Sequence, residues 1–95
     1  MSGEIGDLRR ELDEIDRELV RLFEKRMEVS RLVAAYKKKN NLPVLDAARE
    51  EQVISSRQQM LLDRKLEAPL RELWMEIMRL SRQEQESALD RGDAK

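Results

Sequence analysis

The chain predicts an all-α fold: one long N-terminal helix and two shorter ones, in a single domain over residues 1–95. Three observations carry that expectation. The 95 residues include only three Gly and two Pro, while 41% are charged and 40% hydrophobic. Good helix formers (Leu, Glu, Arg and Lys) are abundant throughout. Apolar residues recur at helical rather than alternating spacing, and the spacing breaks around 40–43 and 63–67.

The first helix is expected over 5–39. Leu8, Leu12, Ile15, Leu19, Leu22, Arg26, Val29, Val33 and Tyr36 lie alternately four and three residues apart. That is the rhythm of a helix offering one continuous seam to a partner, with Arg26 as a cation where an apolar residue is expected. One residue along runs a second stripe: Arg9, Asp13, Asp16, Val20, Phe23, Met27, Ser30, Ala34 and Lys37. Thirty-five helical residues span roughly 50 Å, whereas a compact domain of this length is only about 32 Å across. The helix therefore overshoots its own domain. A seam that its own chain cannot cover predicts a second copy, hence a homodimer.

Asn40-Asn41-Leu42-Pro43 ends this helix, because Asn tolerates the left-handed cap position and Pro43 disfavours helix at the residue before it. Lys38 and Lys39 suit a helix C-terminus. Asp46 reads as the N-cap of a second helix over 46–62, whose inner face holds Asp46, Arg49, Glu50, Val53, Arg57 and Met60. After the polar stretch 63–67, Pro69 suits the first turn of a third helix over 69–89. Its apolar face, Leu70, Leu73, Trp74 and Ile77, continues geometrically into Ser81, Gln85 and Ala88.

Composition excludes several kinds of chemistry. With no Cys there is no disulfide framework and no thiol nucleophile, and with no His there is no imidazole catalysis or common zinc site. No metal and no cofactor are expected. The net charge of −1 argues against nucleic acid as a partner, and no apolar run approaches membrane-spanning length. The N-terminus lacks the pattern of a secretory signal, so a soluble cytoplasmic protein is expected.

Polar side chains interrupt the packing face of every helix: Arg26 and Lys37, then Asp46, Arg49 and Glu50, then Ser81 and Gln85. Burying them costs free energy unless partners satisfy them. One account is internal salt bridging, for instance Arg26 with Glu50, with Asp46 and Glu50 merely favouring a helix N-terminus. The other is a polar ligand pocket. Arg26 and Lys37 are 11 residues apart, close to three turns, so they share a face at about 16 Å. Arg9 lies 17 residues before Arg26, roughly 25 Å away, and joins that region only if two copies pair antiparallel. Such a pocket suits a dicarboxylate and contains neither an activated nucleophile nor a metal cluster. What remains is binding, or catalysis by conformational restraint and electrostatics.

These residues resemble the all-helical class of chorismate mutases over about 5–90. Leu8-Arg9-Arg10-Glu11-Leu12-Asp13-Glu14-Ile15-Asp16 is similar to the family's opening, Glu24-Lys25-Arg26 to its mid-helix arginine and Lys37 to its lysine before the turn. Residues 43–50, Pro-Val-Leu-Asp-Ala-Ala-Arg-Glu, resemble the P-V-x-D-x-x-R-E signature, and Ser81 and Gln85 the polar pair of the last helix. The resemblance implies an intertwined homodimer converting chorismate to prephenate, on the route to phenylalanine and tyrosine. It implies that Arg26 and the second copy's Arg9 clamp the substrate carboxylates, helped by Ser81. Lys37 and Gln85 would donate to the ether oxygen, and Glu50 would hold the ring hydroxyl with Asp46 and Arg49 beside it.

Two rivals differ in kind. An isochorismate pyruvate lyase shares the fold and the cationic clamp but usually departs from the Asp-x-x-Arg-Glu pattern, which is intact here as Asp46, Arg49 and Glu50. A non-catalytic coiled-coil dimerisation module would need only the heptads, and replacing Arg26, Lys37, Ser81 and Gln85 by Leu should then stabilise it.

Overall fold

The computed structural model describes residues 3–92. Helix α1 covers Gly3–Lys39, α2 covers Ala47–Gln59 and α3 covers Glu67–Arg91, entered through a 3-10 turn at Arg64–Leu66. No strand occurs among the described residues.

Local chemistry sets each boundary. Asn41 takes a left-handed φ of 57° after α1. The Leu42 N–H reaches back to the Lys37 carbonyl at 2.8 Å, and the Asn41 N–H to that of Lys38 at 3.3 Å. This paired closure satisfies the helix end and turns the chain sharply. Asp46 caps α2, its carboxylate accepting from the Arg49 N–H at 3.0 Å. α2 stops at Gln59, short of the expected Leu62. There the Met60 and Leu61 N–H groups bond only three residues back, to Arg57 and Gln58, and the Arg64 guanidinium takes the Gln58 and Leu61 carbonyls at 3.1 Å each. Asp63 then caps the 3-10 turn through the Lys65 N–H, so the polar connection is itself wound. α3 ends at Gly92, whose φ of 76° only glycine adopts freely.

Side-chain pairing defines the topology. Arg26 meets Ser81 and Ala34 packs on Ala88, so the C-terminal half of α1 runs parallel to α3. Glu50 meets Arg82 while Gln58 bonds the Glu67 carbonyl, so α2 runs antiparallel to α3. α2 and its flanking turns thus form the crossover that parallel helices require.

The core is thin. One cluster joins Val53, Ile54 and Met78, with Trp74 and Ile77 packed against it; the other joins Ala34 and Ala88. Among the described residues no large side chain is fully buried. On α3 the apolar face is rotated from the one the spacing suggests: Met78 is buried and Leu73 is 53% exposed. α3 turns Met78 toward α2, leaving Leu73 over an apolar groove beside α1.

That groove, about 380 Å³, runs between Leu19, Leu22 and Phe23 of α1 and Leu73, Trp74, Ile77 and Leu80 of α3. It belongs to an extended open surface. Leu8, Leu12, Ile15 and Leu19 are each more than half exposed, and the buried residues of α1 begin only at Met27. The molecule measures 58 × 28 × 15 Å with a radius of gyration of 16.9 Å, well above the ~12 Å of a compact chain this size.

Candidate functional site

Where the C-terminal half of α1, the 43–46 turn, α2 and the end of α3 converge, they line a half-open cavity of about 170 Å³. Seven of the eight residues singled out from the sequence line it: Arg26, Lys37, Asp46, Arg49, Glu50, Ser81 and Gln85. The eighth, Arg9, does not. It is exposed on the free part of α1, and among the described residues its side chain forms no hydrogen bond or ion pair.

Each side chain is held by the fold. Arg26 is half-buried and donates through Nη1 to Ser81 Oγ at 2.8 Å, while the Ser30 hydroxyl donates to the same oxygen at 3.3 Å. Ser81, Ser30 and Gln85 are all buried. The sharp turn after α1 brings the Val44 carbonyl to 2.6 Å from Lys37 Nζ, which fixes the ammonium and leaves its other protons free. Glu50 forms a part-buried ion pair with Arg82. Arg49 is more exposed and bonds Gln52 at 3.1 Å. The Gln85 Oε1 is buried without a partner. An orphaned buried acceptor costs ~1–3 kcal/mol, which marks Gln85 as a group awaiting a partner.

The internal salt-bridge account is thereby corrected in detail. Glu50 pairs with Arg82, not with Arg26, and Arg26 has only a neutral hydroxyl. Asp46 does cap its helix, as one reading expected, yet it also lines the cavity. Sequence reasoning missed Arg82 and Ser30 as members of the site. Ser30 was visible as the residue one turn beyond Arg26 on the second stripe. Arg82 had no such signal, because its role follows only from which cation the α2–α3 crossing brings to Glu50.

The electrostatics favour an anion. Five cations line the cavity (Arg26, Lys37, Arg49, Arg57 and Arg82) against two carboxylates, Asp46 and Glu50. The whole chain, by contrast, carries −1. Burial, and secondarily the nearby Arg57 charge, hold Arg26 below the usual guanidinium range; arginine nonetheless stays protonated at any physiological pH. Larger cavities exist: the apolar groove, one near 370 Å³ across the Arg31–Glu84 ion pair, one near 280 Å³ between α2 and α3 beside Arg71, and one near 390 Å³ beside Asp13, Asp16 and Arg17 on α1; none of them gathers the polar residues of all three helices. Chemistry rather than size selects the site. No group of His, Cys, Asp or Glu able to hold a metal occurs among the described residues, and none of their helices is long and apolar enough to cross a membrane.

The fold and site define an all-helical domain built to hold a small anionic ligand in a fixed polar cage. The model of the type II chorismate mutase family matches residues 8–86, and the chain belongs to that family, an isomerase family of aromatic amino acid biosynthesis whose substrate is chorismate. It is similar to the T-protein of Haemophilus influenzae, 40% identical over 53 residues, which are 56% of this chain and 14% of that protein. The match therefore spans only a small part of the curated relative. No solved structure matches the chain.

Proposed function

We propose that this domain isomerises chorismate to prephenate as an intertwined homodimer, each site receiving Arg9 from a second copy. The observation that carries the proposal is the meeting of Arg26, Lys37, Asp46, Arg49, Glu50, Ser81 and Gln85 in one cation-rich cavity. The second copy is supported by the long apolar seam, the thin core and the cavity's volume, about 170 Å³, small beside the ~300–1,000 Å³ usual for ligand sites. A partner's helix would supply the missing wall.

The rearrangement is intramolecular: the ether C–O bond breaks as a C–C bond forms, and no atom leaves. It needs no nucleophile, metal or cofactor. Arg26, held by Ser81, takes one substrate carboxylate, and Arg9 of the second copy takes the other. Together they select the folded, chair-like conformer in which the reacting carbons meet. Negative charge then grows on the ether oxygen. Lys37, fixed by the Val44 carbonyl, donates there, and a half-turn of the Gln85 amide presents its NH2 group to the same oxygen. Donors preset for the transition state raise the rate rather than simply tighten binding. Glu50 accepts from the ring hydroxyl while its ion pair with Arg82 holds it in place, with Asp46 and Arg49 closing that end.

The test is loss of chorismate absorbance with the product identified as prephenate, compared between wild type and Arg26→Ala. Turnover in the wild type that collapses in the variant supports the proposal. An inactive wild type overturns it, and pyruvate release from isochorismate without prephenate formation makes the chain a lyase instead.

A further inference from the structure

One guanidinium at the cavity has no task in that scheme. Arg57 lies four residues after buried Val53 and seven after Glu50, on the inward face of α2, where spacing alone would favour an apolar residue. It is half-buried and lines the same cavity as Arg26. Its side-chain hydrogen bond goes to the adjacent Ser56 Oγ at 2.9 Å, a neutral partner.

The surrounding charges make this placement costly without a ligand. Arg26 also has a neutral partner, the Ser81 hydroxyl. Of the two carboxylates that line the cavity, Glu50 pairs with Arg82 and Asp46 caps α2 through the Arg49 N–H, and neither forms an ion pair with Arg26 or Arg57. Among the described residues neither Arg26 nor Arg57 forms an ion pair, and Arg57 is the charged neighbour that disfavours the Arg26 cation. Two part-buried like charges around one cavity repel unless an anion lies between them. Planar guanidinium forks bind carboxylates in paired fashion, which gives such an anion both charge and geometry.

We infer that Arg57 is a ligand-binding residue, forming with Arg26 a two-arginine clamp inside one protomer for one carboxylate of a dicarboxylate ligand. The inference rests on the proposed function for the identity of that ligand. It adds a division of labour: one carboxylate is held wholly within a chain, and the other is left for Arg9 of the second copy.

A bland alternative makes the opposite prediction. Arg57 lies in the last turn of α2, where a cation favours the exposed carbonyls, so its removal would then lower stability and leave ligand binding alone. Arg57→Leu and Arg57→Lys separate the two. With the clamp, Arg57→Leu raises KM for chorismate and weakens prephenate binding about tenfold or more, the scale for loss of a charge-assisted hydrogen bond. Its kcat changes much less, its ligand-free Tm stays level or rises as the repulsion is relieved, and Arg57→Lys recovers part of the affinity. Unchanged KM and prephenate affinity with a lowered Tm overturn the clamp.

If the wild type neither binds prephenate nor turns over chorismate, the functional proposal fails, and adipate then judges the clamp as a plain dicarboxylate. Thermal stabilisation of the wild type by adipate, absent in Arg57→Leu, sustains the clamp. Equal stabilisation, or none in either protein, ends it.

Discussion

The two halves of α1 obey the same periodicity and meet different fates. Most of the heptad seam faces outward: Leu8, Leu12 and Ile15 in the first half, Val29 and Tyr36 in the second, are all about half exposed or more, while Arg26 and Val33 of the same seam line the cavity. The adjoining stripe is buried only from Met27 onward, where α3 covers Met27, Ser30 and Ala34. The C-terminal half thus has a partner within the chain and carries Arg26 and Lys37 into a formed cavity. The N-terminal half has none and carries Arg9 into open solvent. Amphipathic spacing says that a face will be covered; it does not say by which molecule.

The strongest way to break this contrast is to charge the uncovered half. Leu12→Glu with Leu19→Glu should prevent two copies from associating, since each buried Leu contributes ~1.5–3 kcal/mol against a net stability of about 5–15 kcal/mol. Apparent mass in light scattering should fall to that of one chain, and turnover to background. Leu32→Glu, at a side chain 65% exposed and outside both stripes, is the control. A double variant that remained dimeric and active would remove the seam from the interface.

The covered half should respond chemically rather than structurally. Lys37→Ala should lower kcat by about 10²–10³, the cost of one preset donor to a developing oxyanion, while circular dichroism and dimer mass stay unchanged. Normal turnover in that variant would dismiss Lys37 as a donor to the reaction.

Whether each half completes its site with the other copy's opposite half can be measured by mixing. Arg9→Ala and Arg26→Ala homodimers should each be nearly inactive. After joint unfolding and refolding, half of the dimers carry one intact site, so about a quarter of wild-type activity should return. No recovery, with mixed dimers demonstrated by mass, would mean that Arg9 does not cross over.

The smallest effect lies in the packing of α3 on α1. The Arg31 hydrogen bond, outweighing burial and aided by Arg91, holds the Glu84 carboxyl below its ordinary value near 4.5. A depressed carboxylate contributes stability above its unfolded pKa and loses it as pH falls through the folded one. Glu84→Gln should therefore flatten the acid limb of the Tm–pH curve below about pH 4.5 and change Tm at neutral pH by at most about 5 °C. A steeper acid limb would refute the assignment.

Much of this was readable from the residues alone, for local reasons. Three helices, the cap at Asp46, the left-handed Asn after α1 and the inward-facing polar residues each follow from a few neighbouring side chains and the 3.6-residue repeat. That repeat alone placed Arg26, Lys37, Glu50, Ser81 and Gln85 on inner faces before any packing was known. What the tertiary structure decided concerns pairs on different helices. It chose which stripe of α1 is buried, gave Glu50 to Arg82 rather than Arg26, rotated Met78 inward in place of Leu73, and set Arg57 beside Arg26 across the cavity. Those outcomes depend on the crossing and rotation of one helix against another. The spacing within a single helix carries no term for either.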